Sequence, residues 1–246
     1  MSYSNCMTSP EQLNHNRLLA SIAYLPRPQA ITRYRAMGYE VYAPQVRDRL
    51  EEFYFLMRDR KLTVTIAGTN EFFDWLRNLA AMPRMIFHSG YNRAALSIIG
   101  EISKYVDAKR NSIDHLNFVG HSKGGAVAGI LTFMHNKYEK EGIGVTGYGF
   151  DSPRFMNREA RQLYNHDSFY RVFQPGDLVP HVPAAMLGFG HCGQAITLSP
   201  EGTYAMGDCY WEEAKVAYPL WYLLFNPLKS IKIHMKTSGL CKNDSD

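Results

Sequence analysis

Residues 120–124 read Gly-His-Ser-Lys-Gly, the pattern G-x-S-x-G in which a strand turns sharply into a helix and leaves a serine hydroxyl exposed above a sheet. The small flanking residues let that strained turn close. A serine hydroxyl is a weak nucleophile near neutral pH, so it needs a histidine base, itself oriented by a carboxylate. On a sheet of this kind the three follow in chain order as serine, acid, histidine. The acids after Ser122 to weigh are Asp151, Asp167, Asp177 and Asp208, and the later histidines are His181, His191 and His234. Asp177 is the favoured acid. It follows an apolar strand pattern at 170–173 through a Gln174-Pro175-Gly176 turn, at the C-terminal end of a strand where open α/β sheets bind ligands. His15, His88, His115, His121, His135 and His166 read as surface or core positions.

The elements around the motif fit its structural requirement. Leu116-Asn117-Phe118-Val119 is a buried-strand pattern and 123–138 a helical one, so the serine falls at a strand-to-helix turn. Upstream, Ser9-Pro10-Glu11-Gln12 reads as an N-cap with proline at the first helical position, opening a helix that lasts until Pro26. A second short helix ends at Gly38. Short apolar runs at 40–43, 53–57 and 62–67 read as neighbouring strands. The chain then alternates: helices near 72–82 and 91–109, strand 116–120, helix 123–138, strand 145–150, helix 158–164, strand 169–173. Strands alternating with helices predict a central, mostly parallel sheet covered by helices on both faces. No linker, repeat or low-complexity segment divides residues 1–246, so one domain is expected. The stretch 175–193 reads as a long loop, and loops of that size in compact domains are commonly functional.

Five blocks in order resemble the class 3 (fungal-type) triacylglycerol lipases of the α/β-hydrolase superfamily. Ile66-Ala67-Gly68-Thr69 with Asp74-Trp75-Leu76-Arg77-Asn78-Leu79 is similar to that family's (F/V)-R-G-T/S block and its D/N-W-x-x-N-L sequel. His88-Ser89-Gly90-Tyr91 resembles the next block. The elbow around Ser122 follows, then residues 147–154, Gly-Tyr-Gly-Phe-Asp-Ser-Pro-Arg, resemble the strand T-F-G-x-P-R. Residues 177–183, Asp-Leu-Val-Pro-His-Val-Pro, resemble D-x-V-P-x-L-P. The resemblance covers roughly residues 62–198 and extends more weakly to the C-terminus. It implies an α/β-hydrolase fold, Ser122 as nucleophile, Asp177 as acid, and Thr69 with the backbone N–H of Lys123 as oxyanion hole. It also implies that His191, in the slot of a non-catalytic neighbour, yields to His234 as base, with His191 the alternative.

Two departures stand out. Ala67 occupies the place where the family usually has Arg, which removes a cation near the oxyanion strand. Lys123 replaces a commoner apolar residue after the nucleophile, and a cation there would favour anionic substrates such as phospholipids. Phe72, Phe73, Trp75 and Leu76 begin an apolar segment that reads as a core-facing helix or, where the resembled lipases carry a lid, as a lid or acyl-groove wall. Residues 216–228, with Trp221, Tyr222 and Phe225, read as a buried helix or a peripheral lipid-interface contact.

The 246 residues carry 27 Lys+Arg and 23 Asp+Glu, a net charge of +4, with 46% hydrophobic residues. That composition excludes disorder, collagen and coiled coil, and the basic residues form no polybasic arm for nucleic acid. The four cysteines are too sparse for a disulfide scaffold and read as reduced thiols. The N-terminus lacks a signal-peptide pattern, giving a cytoplasmic default that leaves release by another route open, and no stretch reads as a transmembrane segment. Gly142-Ile143-Gly144-Val145-Thr146-Gly147 matches G-x-G-x-x-G but leads into a strand, the reverse of a dinucleotide fingerprint. No metal and no cofactor are expected. The expected function is a serine carboxylic-ester hydrolase, a lipase or esterase acting on lipid esters through an acyl-enzyme. The alternatives are a phospholipase A1 or acyltransferase with the same triad, and an inactive lipid-binding module.

Overall fold

In a computed structural model the structure describes residues 8–44, 52–68, 89–136, 141–157, 160–164, 166–183, 185, 188–207, 230 and 232–235. Helix α1 (Pro10–Ile22) starts as the sequence predicts, with Pro10 in its first turn and the Ser9 hydroxyl accepting from the Gln12 N–H at 3.2 Å. Helix α2 (Arg27–Ala36) follows Pro26, and Gly38 just beyond it takes the left-handed conformation, φ +83°, that suits glycine at a helix end.

Strands β1 (Glu40–Tyr42), β2 (Phe53–Arg58) and β3 (Lys61–Ile66) form an antiparallel meander. From β3 onward the pairing is parallel through β4 (His115–His121), β5 (Gly144–Phe150), β7 (Phe169–Phe173) and β9 (Gln194–Leu198). Strand β10 (Tyr204–Gly207) closes the far edge antiparallel to β9, giving the order β1-β2-β3-β4-β5-β7-β9-β10. A separate antiparallel pair joins β6 (Met156–Asn157) to β8 (Phe189–Gly190).

Period-two alternation of side chains divides the core between the two faces of this sheet. In β2, Phe53 and Phe55 join one cluster while Tyr54 and Leu56 join the other; in β4, Leu116 and Phe118 part from Val119 in the same way. The first cluster packs against α3 (Ser89–Ala108) and α4 (Lys123–His135), the second against α1 and α2. Helix α3 is amphipathic, burying Tyr91, Ala94, Ala95, Ile98, Ile102 and Val106 at helical spacing. Helix α4 is enclosed almost all round, burying every residue from Gly124 to Thr132. The expected mostly parallel sheet with helices on both faces is therefore observed.

Three local expectations change. The helix expected over 158–164 is, where described, a four-residue 3-10 turn, Ala160–Leu163. The long loop at 175–193 is ordered by a 3-10 turn at Val179–His181 and by β8. Strands β9 and β10 were not assigned from the sequence. The helix expected near 72–82 and the apolar segment 216–228 lie outside the described residues.

Candidate active site

The parallel register brings the C-terminal ends of four strands to one edge. Ile66, Gly120 and Gly149 lie side by side, as do His121, Phe150 and Val172 in the neighbouring ladder. Beyond those ends come Ala67-Gly68 after β3, Ser122 after β4, Asp151 after β5 and Gln174 to Asp177 after β7. Backbone bonds continue the alignment, from Ser122 N–H to Phe150 O at 2.8 Å and from Asp151 N–H to Val172 O at 2.7 Å.

Ser122 stands between β4 and α4 with φ +57° and ψ −128°, a conformation rarely taken by residues other than glycine and held here by the structure around it. The glycines of the motif are required by close approach. A Cβ on Gly120 would fall on the Gly124 carbonyl and 2.7 Å from the Gly125 nitrogen. One on Gly124 would fall on the Ile66 carbonyl oxygen. Ser122 sits at the N-terminus of α4, the positive end of the helix dipole, which favours developing negative charge. Lys123, half-buried, is the first residue of that helix. Thr69, Phe72, Phe73, Trp75 and Leu76 lie outside the described residues.

Asp177 is buried, and its two carboxylate oxygens are separately engaged. Oδ1 accepts from the Val179 N–H at 2.9 Å, and Oδ2 lies 2.7 Å from Nδ1 of His234. The loop carrying Asp177 is clamped on one side by buried Arg154, which donates to the carbonyls of His181 and, at 3.0 Å, of Pro183. On the other side the Leu178 N–H donates to Ser230 Oγ at 2.6 Å, tying the loop to the C-terminal segment that carries His234.

Burial opposes a charge on the His234 ring, but the Asp177 carboxylate, by charge and hydrogen bond, and the Asp151 carboxylate outweigh it and lift its pKa above the ordinary 6.5. The ring also lies 4.5 Å, centroid to centroid, from that of His121, the residue before Ser122. The other late histidines sit differently. His191 places Nε2 2.7 Å from the Pro180 carbonyl, and burial, with Arg171 and Arg154 nearby, pushes its pKa well down. His181 is pushed down to about 4, chiefly by burial and then by Arg154. Asp167 is exposed and accepts from Gln194 Nε2 at 3.2 Å; Asp208 lies outside the described residues.

Two further residues at this edge have no role in the sequence reading of the site. The Tyr24 hydroxyl, just past α1, lies 2.9 Å from His121 Nδ1 and 3.3 Å from the His121 carbonyl oxygen. Nothing in a tyrosine 97 residues away from its partner marks it in sequence. Asp151, one of the four acids weighed in the sequence and not the one preferred there, is fully buried with φ +46°. Among the described residues, His121, Asp151 and His234 bring ligand-type atoms within 4.8 Å of one another. Although Ala67 removes the family's usual cation, Arg27 lies close by: it pairs at 2.8 Å with Glu52, the residue whose carbonyl accepts from the Ala67 N–H.

A sequence profile of the lipase (class 3) family matches residues 63–187, half of the chain. The chain belongs to the class 3 lipase family. The span matched by this family runs from β3 through the elbow to the loop after Asp177. Solved structures agree on the fold of this class 3 lipase. Rhizomucor miehei triacylglyceride lipase matches with a TM-score of 0.69 at 16% identity, over 87% of this chain and 92% of its own. A mutant form of MDLA from Penicillium cyclopium matches at 0.71 and 16%, over 95% and 100%. Mono- and diacylglycerol lipase from Aspergillus oryzae matches at 0.68 and 18%, over 82% and 87%. The α/β-hydrolase architecture expected from the sequence is thus shared with fungal lipases.

Proposed function

We propose that this serine ester hydrolase cleaves acyl esters of glycerol-based lipids, with Ser122 as nucleophile, His234 as base and Asp177 as the carboxylate that orients it. The observation that carries the reading is the 2.7 Å contact between His234 Nδ1 and Asp177 Oδ2 at the edge where the strained Ser122 turn lies. With Nδ1 facing the carboxylate, Nε2 is assigned to take the proton from the serine. Ser122 Oγ attacks the ester carbonyl carbon as its proton passes to Nε2. The tetrahedral intermediate collapses, the His234 proton leaves with the alcohol, and an acyl-serine remains. Water then repeats the sequence, releasing the fatty acid and free serine.

The oxyanion of each intermediate is assigned to the Lys123 N–H, at the start of α4, and to Thr69. Each such donor contributes on the order of 3 kcal/mol to the barrier reduction in comparable sites. Glycerol esters are favoured because the Rhizomucor miehei and Aspergillus oryzae proteins are lipases of triacyl- and of mono- and diacylglycerols. No helix among the described residues is long and apolar enough to cross a membrane. We assign the lid or groove wall to Phe72, Phe73, Trp75 and Leu76, and a peripheral lipid contact to residues 216–228.

Purified protein offered nitrophenyl esters from short to long acyl chains, beside tri-, di- and monoacylglycerol emulsions, tests the substrate class. Release of free fatty acid from a glyceride, abolished by Ser122→Ala, is the expected result. Glyceride binding without fatty-acid release would make the chain an inactive lipid-binding module. Transfer of the acyl group to an added alcohol in preference to water would make it an acyltransferase.

A further inference from the structure

The elbow, Asp177 and His234 leave Asp151, a buried carboxylate among the described residues at the same edge, without a role. Asp151 follows β5 directly and is 0% exposed. Its φ of +46° lies in the left-handed region that favours glycine, with Asn and Asp the best tolerated of the rest. Counted back from Pro153-Arg154 in the block T-F-G-x-P-R that residues 147–154 resemble, Asp151 stands at the place of the glycine. A buried carboxylate on a strained backbone is costly, so a charge partner is expected nearby.

One backbone donor and two imidazole rings are among the neighbours of Asp151. Oδ1 accepts from the Gln174 N–H at 2.9 Å, which also braces the turn leading to Asp177. Oδ2 lies 3.9 Å from His121 Nε2, and His234 brings a ring nitrogen into the same 4.8 Å cluster. His121 does not supply a cation: burial first, and then His234, push its pKa well below 6.5. His234 does supply one, each time it accepts the serine proton. The groups facing its ring are Asp177 from the loop after β7, Asp151 from the end of β5, and His121 from β4, itself held by Tyr24.

We propose that Asp151 is a second carboxylate for His234, a positioning residue that shares with Asp177 the stabilisation of the imidazolium formed during turnover. The division of labour follows from geometry. Asp177 contacts Nδ1 and fixes the tautomer and ring orientation, whereas Asp151 acts through charge across a few ångströms of water-poor space, where such interactions are strong. The proton is carried by His234 throughout, and neither carboxylate is consumed. This role rests on His234 being the base, as proposed above.

The test uses the full chain as wild type, Asp151→Asn, Asp151→Gly, Asp177→Asn and the double Asp151→Asn/Asp177→Asn. Two readouts are followed against pH: ester turnover and the rate at which a fluorophosphonate labels Ser122. Asn keeps an oxygen for the Gln174 N–H and removes the charge; Gly relieves the φ of +46° and secures a folded variant should Asn fail. Both single Asp151 variants are expected to keep a cooperative melt, lose about three- to tenfold in kcat, and move the acid limb of kcat/KM to lower pH. In the Asp177→Asn background the same change should cost at least about tenfold more than it does alone, because the last counter-charge is then removed. An acid limb that stays put in both single variants, or a double variant no slower than Asp177→Asn, overturns the role and leaves Asp151 a brace for Gln174. A wild-type chain that neither labels at Ser122 nor turns over ester would overturn the function itself, and this role with it.

Discussion

Replacing Gly124 by alanine tests how tightly the elbow is built. The added Cβ would fall on the Ile66 carbonyl oxygen and within 2.9 Å of the carbonyl carbon and oxygen of Ala67. All three are backbone atoms at the end of β3, a strand locked in parallel register with β4, so no side chain can swing aside. Either α4 or the β3 end must move. Overpacking of this kind costs about 1–3 kcal/mol, and rigid neighbours put this case at the upper end. For a chain of this size each kcal/mol lowers Tm by roughly 2–4 °C, so a fall of about 6–12 °C is expected. The same displacement shifts Ala67 and Gly68, which lead to Thr69, so labelling at Ser122 should slow in the protein that remains folded. Gly100 is the control: it lies exposed inside α3 with open space around an added Cβ. Gly100→Ala should stabilise by roughly 0.5–1 kcal/mol through helix propensity. Both melts can be followed by circular dichroism. Equal melting temperatures for the two variants, or a Gly124→Ala protein labelled at the wild-type rate, would refute the close-packed elbow.

Other outcomes follow from the site. Asp177→Asn should lower kcat by about 10⁴ through loss of the His234 tautomer, tempered by whatever Asp151 retains, as read by steady-state ester turnover. Because the folded pKa of His234 is raised above 6.5 and the base must be neutral, kcat/KM should fall as pH drops through a midpoint above 6.5; a midpoint below it would contradict the two-carboxylate setting. The matching stability term is full below pH 6.5 and is lost as pH rises through the raised value, which denaturant titrations on both sides of pH 6.5 will show or fail to show. His191→Ala removes the ring nitrogen that meets the Pro180 carbonyl and should cost about 1–3 kcal/mol in a urea melt while the folded fraction still labels at Ser122. Lys123→Leu should lower the ratio of phospholipid to neutral-ester hydrolysis, and an unchanged ratio removes the cation from any role in specificity.

Local patterns in this chain carried most of the fold. Pro10 after Ser9, the buried-strand pattern at 116–119 and the helical spacing of α3 each report one dominant force, and each element forms where that force points. The strands β9 and β10 lacked such a signal. Gln194–Leu198 is only five residues, and it is held between β7 and β10, so the ladder rather than local propensity makes it a strand. The 3-10 turn at Ala160–Leu163 shows the converse, a helical composition too short and too poorly packed to become an α-helix. At the site, the elbow glycines were legible because turn geometry demands them, and Asp177 was picked out by its place after a strand end and a Gln-Pro-Gly turn. Tyr24 and Asp151 were not, since their roles depend on which groups the folded chain brings within hydrogen-bond or Coulomb range of His121 and His234.

The most direct test of the central claim is fluorophosphonate labelling of the intact protein, read by intact mass and peptide mapping, in wild type, Ser122→Ala, His234→Ala and His191→Ala. The account predicts one adduct, on Ser122, absent from Ser122→Ala, lost or slowed by orders of magnitude in His234→Ala and retained in His191→Ala. Labelling that survives His234→Ala and disappears in His191→Ala would contradict it, as would an adduct mapped to any residue other than Ser122.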